Sequence, residues 1–181
     1  EKIKHIKTNV GSELNIALAA IEKSNINELE GVLEPIDFTK KKGKTKISDT
    51  KLVDFIHHFN KYRMRDTDFQ FGDVLGAAYE FLIKYFADSA GKKGGEFYTP
   101  NEVVRLLVKI LEPQEGMEIY DPTVGSGGML IQSRQFVGEI GQDETNTRLY
   151  GQEDSGTTWA MCKMNMILHG INDAEIENED T

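Results

Sequence analysis

A single cysteine in 181 residues, Cys162, excludes a disulfide framework and a cysteine-rich zinc site, and it suits a reducing compartment. No apolar run approaches the length of a membrane-crossing helix, and no charged, apolar and small-residue succession of a signal peptide opens the chain. The expectation is a soluble, cytoplasmic protein with no membrane partner. Positive charge is also short: 21 Lys and Arg against 30 Asp and Glu leave a formal net charge of -9. That is the wrong sign for a domain that grips DNA through a broad basic face, so other surfaces would have to supply most phosphate contacts. Internal repeats and low-complexity tracts are absent as well.

What remains has room for one ordinary domain, or for a small domain and part of another. The chain opens on Glu1 and ends at Thr181 after only the first strands of an α/β pattern, so it reads as a fragment at both ends. Its organising stretch is Met117 to Leu130. Met117 to Tyr120 is a short apolar run entered from a turn at Gln114-Glu115-Gly116, as a buried parallel strand would be. Gly125-Ser126-Gly127-Gly128 then opens onto Met129, Leu130, Ser133 and Phe136 at helical spacing. Strand, glycine loop and helix in this order form the ligand end of a doubly wound sheet, where glycines let the backbone approach a ligand and helix N–H groups face an anion. A glycine-rich turn with no ligand is the plain alternative.

Upstream, Leu14, Ala17, Leu18 and Ile21 predict a helix within residues 3–24, and Leu52, Val53, Phe55, Ile56 and Phe59 predict another with Ser48 or Asp49 as its N-cap. Between them, the basic run Lys40 to Lys46 reads as a solvated loop. Asp73 to Phe86 predicts a third helix, with Val74, Leu75, Ala78, Phe81, Leu82, Tyr85 and Phe86 as its core face. His57 and His58 are adjacent, point to different sides of their helix and have no ligand partner at metal spacing. Residues 1–88 therefore read as a helical domain, and Ser89 to Gly95 as a flexible hinge into residues 89–181. Thr99, Pro100 and Glu102 carry the signature of a capped helix start, with Val103, Leu106, Leu107, Ile110 and Leu111 as the buried face before Pro113.

Leu149 to Glu153 predicts the second strand, Trp159, Met164, Ile167 and Leu168 a helix stopped by Gly170, and Ala174 to Thr181 a third strand with an acidic end. Asp121 and Glu153 thus close the first two strands. A carboxylate after the second strand is where adenosine cofactors have their ribose diol accepted. The spacing Gly125-x-Gly127-Gly128 departs from the Gly-x-Gly-x-x-Gly of nicotinamide sites. Asp121 would repel a pyrophosphate and welcome an ammonium group, which favours S-adenosylmethionine. The alternative is that Asp121 caps its turn and Glu153 the following helix.

Taken in order, Glu-Phe-Tyr-Thr-Pro100, Asp-Pro-Thr-Val-Gly-Ser-Gly-Gly-Met-Leu130, Tyr-Gly-Gln-Glu153 with Trp159, Lys-Met-Asn-Met-Ile-Leu-His-Gly170 and Asn-Glu-Asp-Thr181 resemble the modification (M) subunit of type I restriction-modification systems, an N6-adenine DNA methyltransferase. Leu29 to Leu33, His58 to Asn60 and Leu75 to Glu80 resemble its N-terminal helical domain. The resemblance implies an α/β fold: a helical domain, 1–88, followed by the first part of a Rossmann-like S-adenosylmethionine-dependent methyltransferase sheet, 89–181. It implies that Glu96, Phe97, Tyr98, Thr99, Pro100 and Asn101 contact the methionine part of the cofactor. Asp121, Ser126, Gly127 and Gly128 would surround its amino acid and ribose, Glu153 would take the ribose hydroxyls, and Asp180 would lie near the adenine. Implied partners are a specificity (S) subunit, a restriction (R) subunit, a second M subunit and double-stranded DNA with a flipped adenine.

The same family holds that adenine with an Asn-Pro-Pro-aromatic tetrapeptide, which these residues do not contain. No catalytic residue is assigned, and the 181-residue chain alone is expected to transfer no methyl group. Competing readings are a stand-alone restriction-modification methyltransferase with its own target domain, and a non-catalytic interaction module.

Overall fold

The computed structural model describes residues 2–41, 46–62 and 74–181. Lys42 to Thr45 of the basic run and Asp73, the expected start of the third helix, lie outside the described residues. Two compact units are present, Glu1–Gly72 and Asp73–Thr181.

In the first unit, α1 (Val10–Ser24), the single turn α2 (Ile26–Leu29) and α3 (Asp49–Phe59) surround a small core of Val10, Val32, Leu33 and Leu52. Carboxylates tie distant backbone together here. Asp49 accepts the N–H groups of Asn9 and Val10 at 2.9 and 3.1 Å, so it satisfies the start of α1 from the first turn of α3. Glu22 does the same for Gly31 and Leu33, at 2.9 and 3.0 Å. Ser48 is the N-cap of α3, its hydroxyl accepting from the Lys51 N–H. Of the expected α3 stripe only Leu52 is buried. Phe55 and Phe59 are exposed and meet each other with ring centroids 4.8 Å apart.

The second unit contains α4 (Val74–Ala90), a short 3-10 turn Gly91–Glu96, α5 (Asn101–Leu111), β1 (Glu118–Asp121), α6 (Gly128–Glu139), β2 (Arg148–Gln152), α7 (Gly156–Leu168) and β3 (Glu175–Glu177). The three strands are parallel in the order β1-β2-β3, with Tyr120 opposite Tyr150 and Tyr150 opposite Glu175. Each crossover runs through a helix, as parallel neighbours require. Ile119, Leu149 and Ile176 alternate onto one sheet face and pack with Leu130 and Ile131 of α6 and Cys162 and Met166 of α7. Burial of each such aliphatic side chain contributes about 1.5–3 kcal/mol. Glu118, Tyr120, Tyr150, Gln152, Glu175 and Glu177 point the other way and form an open, acidic groove.

Arg134 of α6 is buried, and its guanidinium grips the Asp173 carboxylate with two bonds of 2.7 and 2.8 Å while also donating to the Thr147 carbonyl at 2.7 Å. This fork pins α6 to the entries of β2 and β3, and it holds the Asp173 carboxyl below its usual range.

Several expectations are corrected. The division falls at Gly72, so α4, expected with the first domain, belongs to the compact unit that holds the sheet, where it packs against α7. Its buried residues are Gly76, Ile83 and Ala87. Small residues let the helix approach closely, and the large apolar stripe is left outside: Phe81 is 66% exposed, and Leu82, Tyr85 and Phe86 are exposed with it. α5 likewise buries Val104 and Val108, the side facing α6, and leaves Val103, Leu106, Leu107, Ile110 and Leu111 open. Among the described residues nothing covers these two stripes.

The expected hinge is a packed turn: Gly94 is buried, and a Cβ there would stand on the Ala87 carbonyl. The capping box at Thr99 is also absent. α5 starts one residue later, with Pro100 in the cap position and no side-chain cap.

Candidate cofactor-binding site

β1 ends at Asp121, and the chain turns at once through Pro122 to Gly127 into α6. Three backbone bonds fix this loop from three directions. The Val124 N–H donates to the Gln152 carbonyl of β2 at 2.9 Å, the Ser126 N–H to the Phe97 carbonyl at 3.0 Å, and the Gly125 N–H to the Glu153 carboxylate at 3.1 Å. Gly125 has φ 54°, and a Cβ on it would lie 2.8 Å from the Phe97 carbonyl oxygen. Glycine is required there by both conformation and space. Gly127, with φ 86°, makes the last turn before the helix.

The segment carrying Phe97 therefore lies directly against the glycine loop. Between them is a cavity of about 220 Å³. Its wall brings together Glu96, Phe97, Tyr98, Thr99 and Asn101 from the segment leading into α5, and Asp121, Ser126 and Gly128 from the end of β1 and the loop. The absence of a capping box removes the local explanation of Thr99 and leaves its place on this wall. Pro100, Gly127, Glu153 and Asp180 do not line the cavity.

Glu153 turns its two oxygens to the backbone, accepting from Gly125 at 3.1 Å and from Ser155 at 3.1 Å. It is the fastening of the loop. Asp180 is exposed, and its carbonyl accepts from the Gln152 side chain. Thr181 beside it donates its hydroxyl to the Pro122 carbonyl at 2.7 Å, which draws the end of the chain towards the turn after β1.

Two residues that sequence reasoning passed over complete the wall, Glu80 of α4 and Asn165 of α7. Glu80 shares a helix face with Gly76, Ile83 and Ala87, and that spacing of small residues around one carboxylate was the available signal. Asn165 stands alone among Met164, Met166 and Ile167.

The wall carries three carboxylates, Glu80, Glu96 and Asp121, and, among the described residues, no lysine, arginine or histidine. Burial raises the Asp121 carboxyl above its ordinary value against the pull of the Thr123 N–H, which donates to it at 3.0 Å. Burial also raises the Tyr98 hydroxyl, with Glu80, Glu102 and Asp88 adding in the same direction and the Asn101 backbone opposing. Behind the loop, burial pushes the Cys162 thiol up to about 12, so it packs as a small apolar side chain and is no nucleophile. No group of histidine, cysteine and carboxylates among the described residues could hold a metal ion. The three carboxylates favour a ligand that brings positive charge into this chamber.

The family model for N-6 DNA methylase matches residues 70–181, which is the entire sheet-bearing unit and its cavity. The chain belongs to the N-6 DNA methylase family. The chain is 35% identical over 172 residues to the type I restriction enzyme HindI methylase subunit of Haemophilus influenzae, covering 91% of itself and 37% of that relative. It is 37% identical over 157 residues to the MjaVIII methylase subunit of Methanocaldococcus jannaschii, covering 86% of itself and 26% of the relative. Among solved structures it resembles the type I restriction-modification system methyltransferase subunit from Streptococcus thermophilus, with TM-score 0.76 and 31% identity over 94% of this chain and 36% of that one. The chain thus spans between 26% and 37% of the length of these relatives. Membership of a methylase family implies a methyl donor. Among the described residues, no helix is long and apolar enough to cross a membrane.

Proposed function

We propose that this chain is the S-adenosylmethionine-binding part of the modification subunit of a type I restriction-modification system, an N6-adenine DNA methyltransferase that works in the cytoplasm. One observation carries the cofactor assignment. A cavity at the carboxyl end of β1, enclosed by a glycine loop and an aromatic pair, is walled by Glu80, Glu96 and Asp121; among the described residues its lining holds no lysine, arginine or histidine, and His169, a cation only when protonated, stands 3.9 Å from Glu80. A ligand with an ammonium and a sulfonium offsets that charge, and Phe97 and Tyr98 add aromatic surface on which a sulfonium is favoured over a neutral thioether. A dinucleotide would bring pyrophosphate against Asp121.

In this reading Glu96, Phe97, Tyr98, Thr99 and Asn101 hold the methionine part and Asp121, Ser126 and Gly128 surround the amino acid and ribose, while Pro100 and Gly127 shape the two segments without lining the cavity. Glu153 directly follows β2 and Asp180 comes three residues after β3, where ribose and adenine would extend. The Glu153 oxygens each keep a lone pair after accepting backbone N–H groups, so holding the loop and accepting a ribose hydroxyl are compatible. When bound, the cofactor supplies the methyl group. Residues 1–181 contain no Asn-Pro-Pro-aromatic tetrapeptide, so no group here is assigned to the flipped adenine of the DNA. The acidity of the chain fits a protein whose DNA reading and phosphate contacts fall to an S subunit, with R and a second M subunit completing the assembly.

Calorimetry of the chain with S-adenosylmethionine, S-adenosylhomocysteine and NAD tests the assignment. Binding of the first two and silence with NAD is expected. Heat with NAD alone, or with none of the three, would overturn it.

A further inference from the structure

Asn165 has a feature that packing does not explain. It is 1% exposed, yet it lines the cavity. Its side-chain N–H donates to the Ser126 carbonyl at 2.9 Å, which fixes which end of the amide is which, because a flipped amide would set oxygen against oxygen. The other end, Oδ1, is buried without a hydrogen-bond partner. A buried acceptor left without a donor is costly; Tyr98, on the same wall, has a buried hydroxyl that is likewise without a partner, while Glu80, Glu96 and Asp121 are acceptors when ionised. The backbone on either side is engaged. The Asn165 carbonyl accepts from His169, and the Ser126 N–H is held by Phe97, so neither end of this arrangement swings easily to find a partner.

We infer that Asn165 Oδ1 is an acceptor for the ammonium group of the ligand, a specificity-determining contact made jointly with the cavity carboxylates. The inference rests on the S-adenosylmethionine reading. An ammonium has three N–H donors and no acceptor, so it needs several converging acceptors. An uncharged amide oxygen supplies one without adding a fourth negative charge to a chamber that already has three. Asn165 also holds the glycine loop through Ser126, so one side chain both shapes the loop and reads the ligand.

Three neutral-sulfur probes separate these two roles: S-adenosylhomocysteine, its decarboxylated analogue, which keeps the ammonium, and 5′-methylthioadenosine, which lacks the amino-acid part. Calorimetry of Asn165→Ala is expected to show affinity for the first two reduced by about 10- to 100-fold, the range for a hydrogen bond to a charged group, with 5′-methylthioadenosine little changed. Asn165→Asp loses the donor to Ser126 and keeps acceptors, and it should retain affinity for the ammonium-bearing probes. Equal losses for all three probes in both variants would mean that Asn165 only shapes the loop, and would overturn the inference while leaving the cofactor reading intact. Failure of the unaltered chain to bind any adenosyl probe would instead overturn the cofactor reading, and this inference with it. Should Asn165→Ala not fold, Asn165→Asp alone decides.

Discussion

Asp121 and Glu153 end adjacent parallel strands, 32 residues apart in sequence, and look equivalent as strand-end acids; their surroundings make them opposites. Asp121 faces the cavity, accepts one N–H, from Thr123, and is held above its ordinary pKa by burial. Glu153 gives both oxygens to backbone N–H groups and fastens Gly125 and Ser155. One carboxylate is a charge waiting for a counter-charge, and the other is a structural bolt. A strand-end acid therefore has no single meaning: the number of donors already on its oxygens separates an acid open to a cationic group from one that fastens backbone and has only its remaining lone pairs to offer.

The largest expected effect breaks the support that both acids depend on. Gly125→Ala would put a Cβ 2.8 Å from the Phe97 carbonyl oxygen at a left-handed φ, and backbone, not a flexible side chain, is what must move. A loss of about 3 kcal/mol or more is expected, read as a lowered urea midpoint, with cofactor binding lost too. An unchanged midpoint would mean the loop is free to shift off the 97 segment. Glu153→Ala comes next. It strips two backbone N–H groups of their charged acceptor, and a loss of about 2–4 kcal/mol in the same titration is expected. If this variant stayed as stable as the unaltered chain and lost only ligand binding, Glu153 would be a ligand group like Asp121, and the contrast would fail.

The sheet half of the fold was legible because its signals are local. A strand, a glycine turn and a helix succeed one another within Met117 to Leu130, and Gly170, with φ 73°, does end α7 as read. What escaped was set by distant neighbours. An apolar stripe states that a helix has an oily side, not that a partner covers it: on α4 the narrow face of Gly76, Ile83 and Ala87 is the one that packs, and on α5 it is Val104 and Val108. Thr99 and Glu102 spell a capping box, yet the backbone before them is held by Ser126, far along the sequence, and the box does not form. The site was half legible for the same reason. Residues 96–99, 101, 121, 126 and 128 belong to motifs that read as ligand-binding, whereas Glu80 and Asn165 reach the cavity only because α4 and α7 pack together.

The smallest effect concerns the Asp121 charge alone. Asp121→Asn keeps the oxygen that accepts from Thr123 and removes the charge, so stability separates from binding. The sign follows from the raised carboxyl. Above its folded pKa the ionised group carries the cost of burial, which the unfolded chain does not; the cost fades as pH falls through the folded value and is gone below the ordinary carboxylate range. The asparagine variant should therefore be slightly more stable at neutral pH and equal at low pH in parallel thermal melts. It should bind S-adenosylmethionine about tenfold more weakly at neutral pH, a difference near 1.4 kcal/mol that also closes as acid neutralises the unaltered aspartate. A variant that is less stable at neutral pH, or whose binding deficit does not depend on pH, would show that Asp121 is held by its own fold as Glu153 is, and the two acids would have to be read alike.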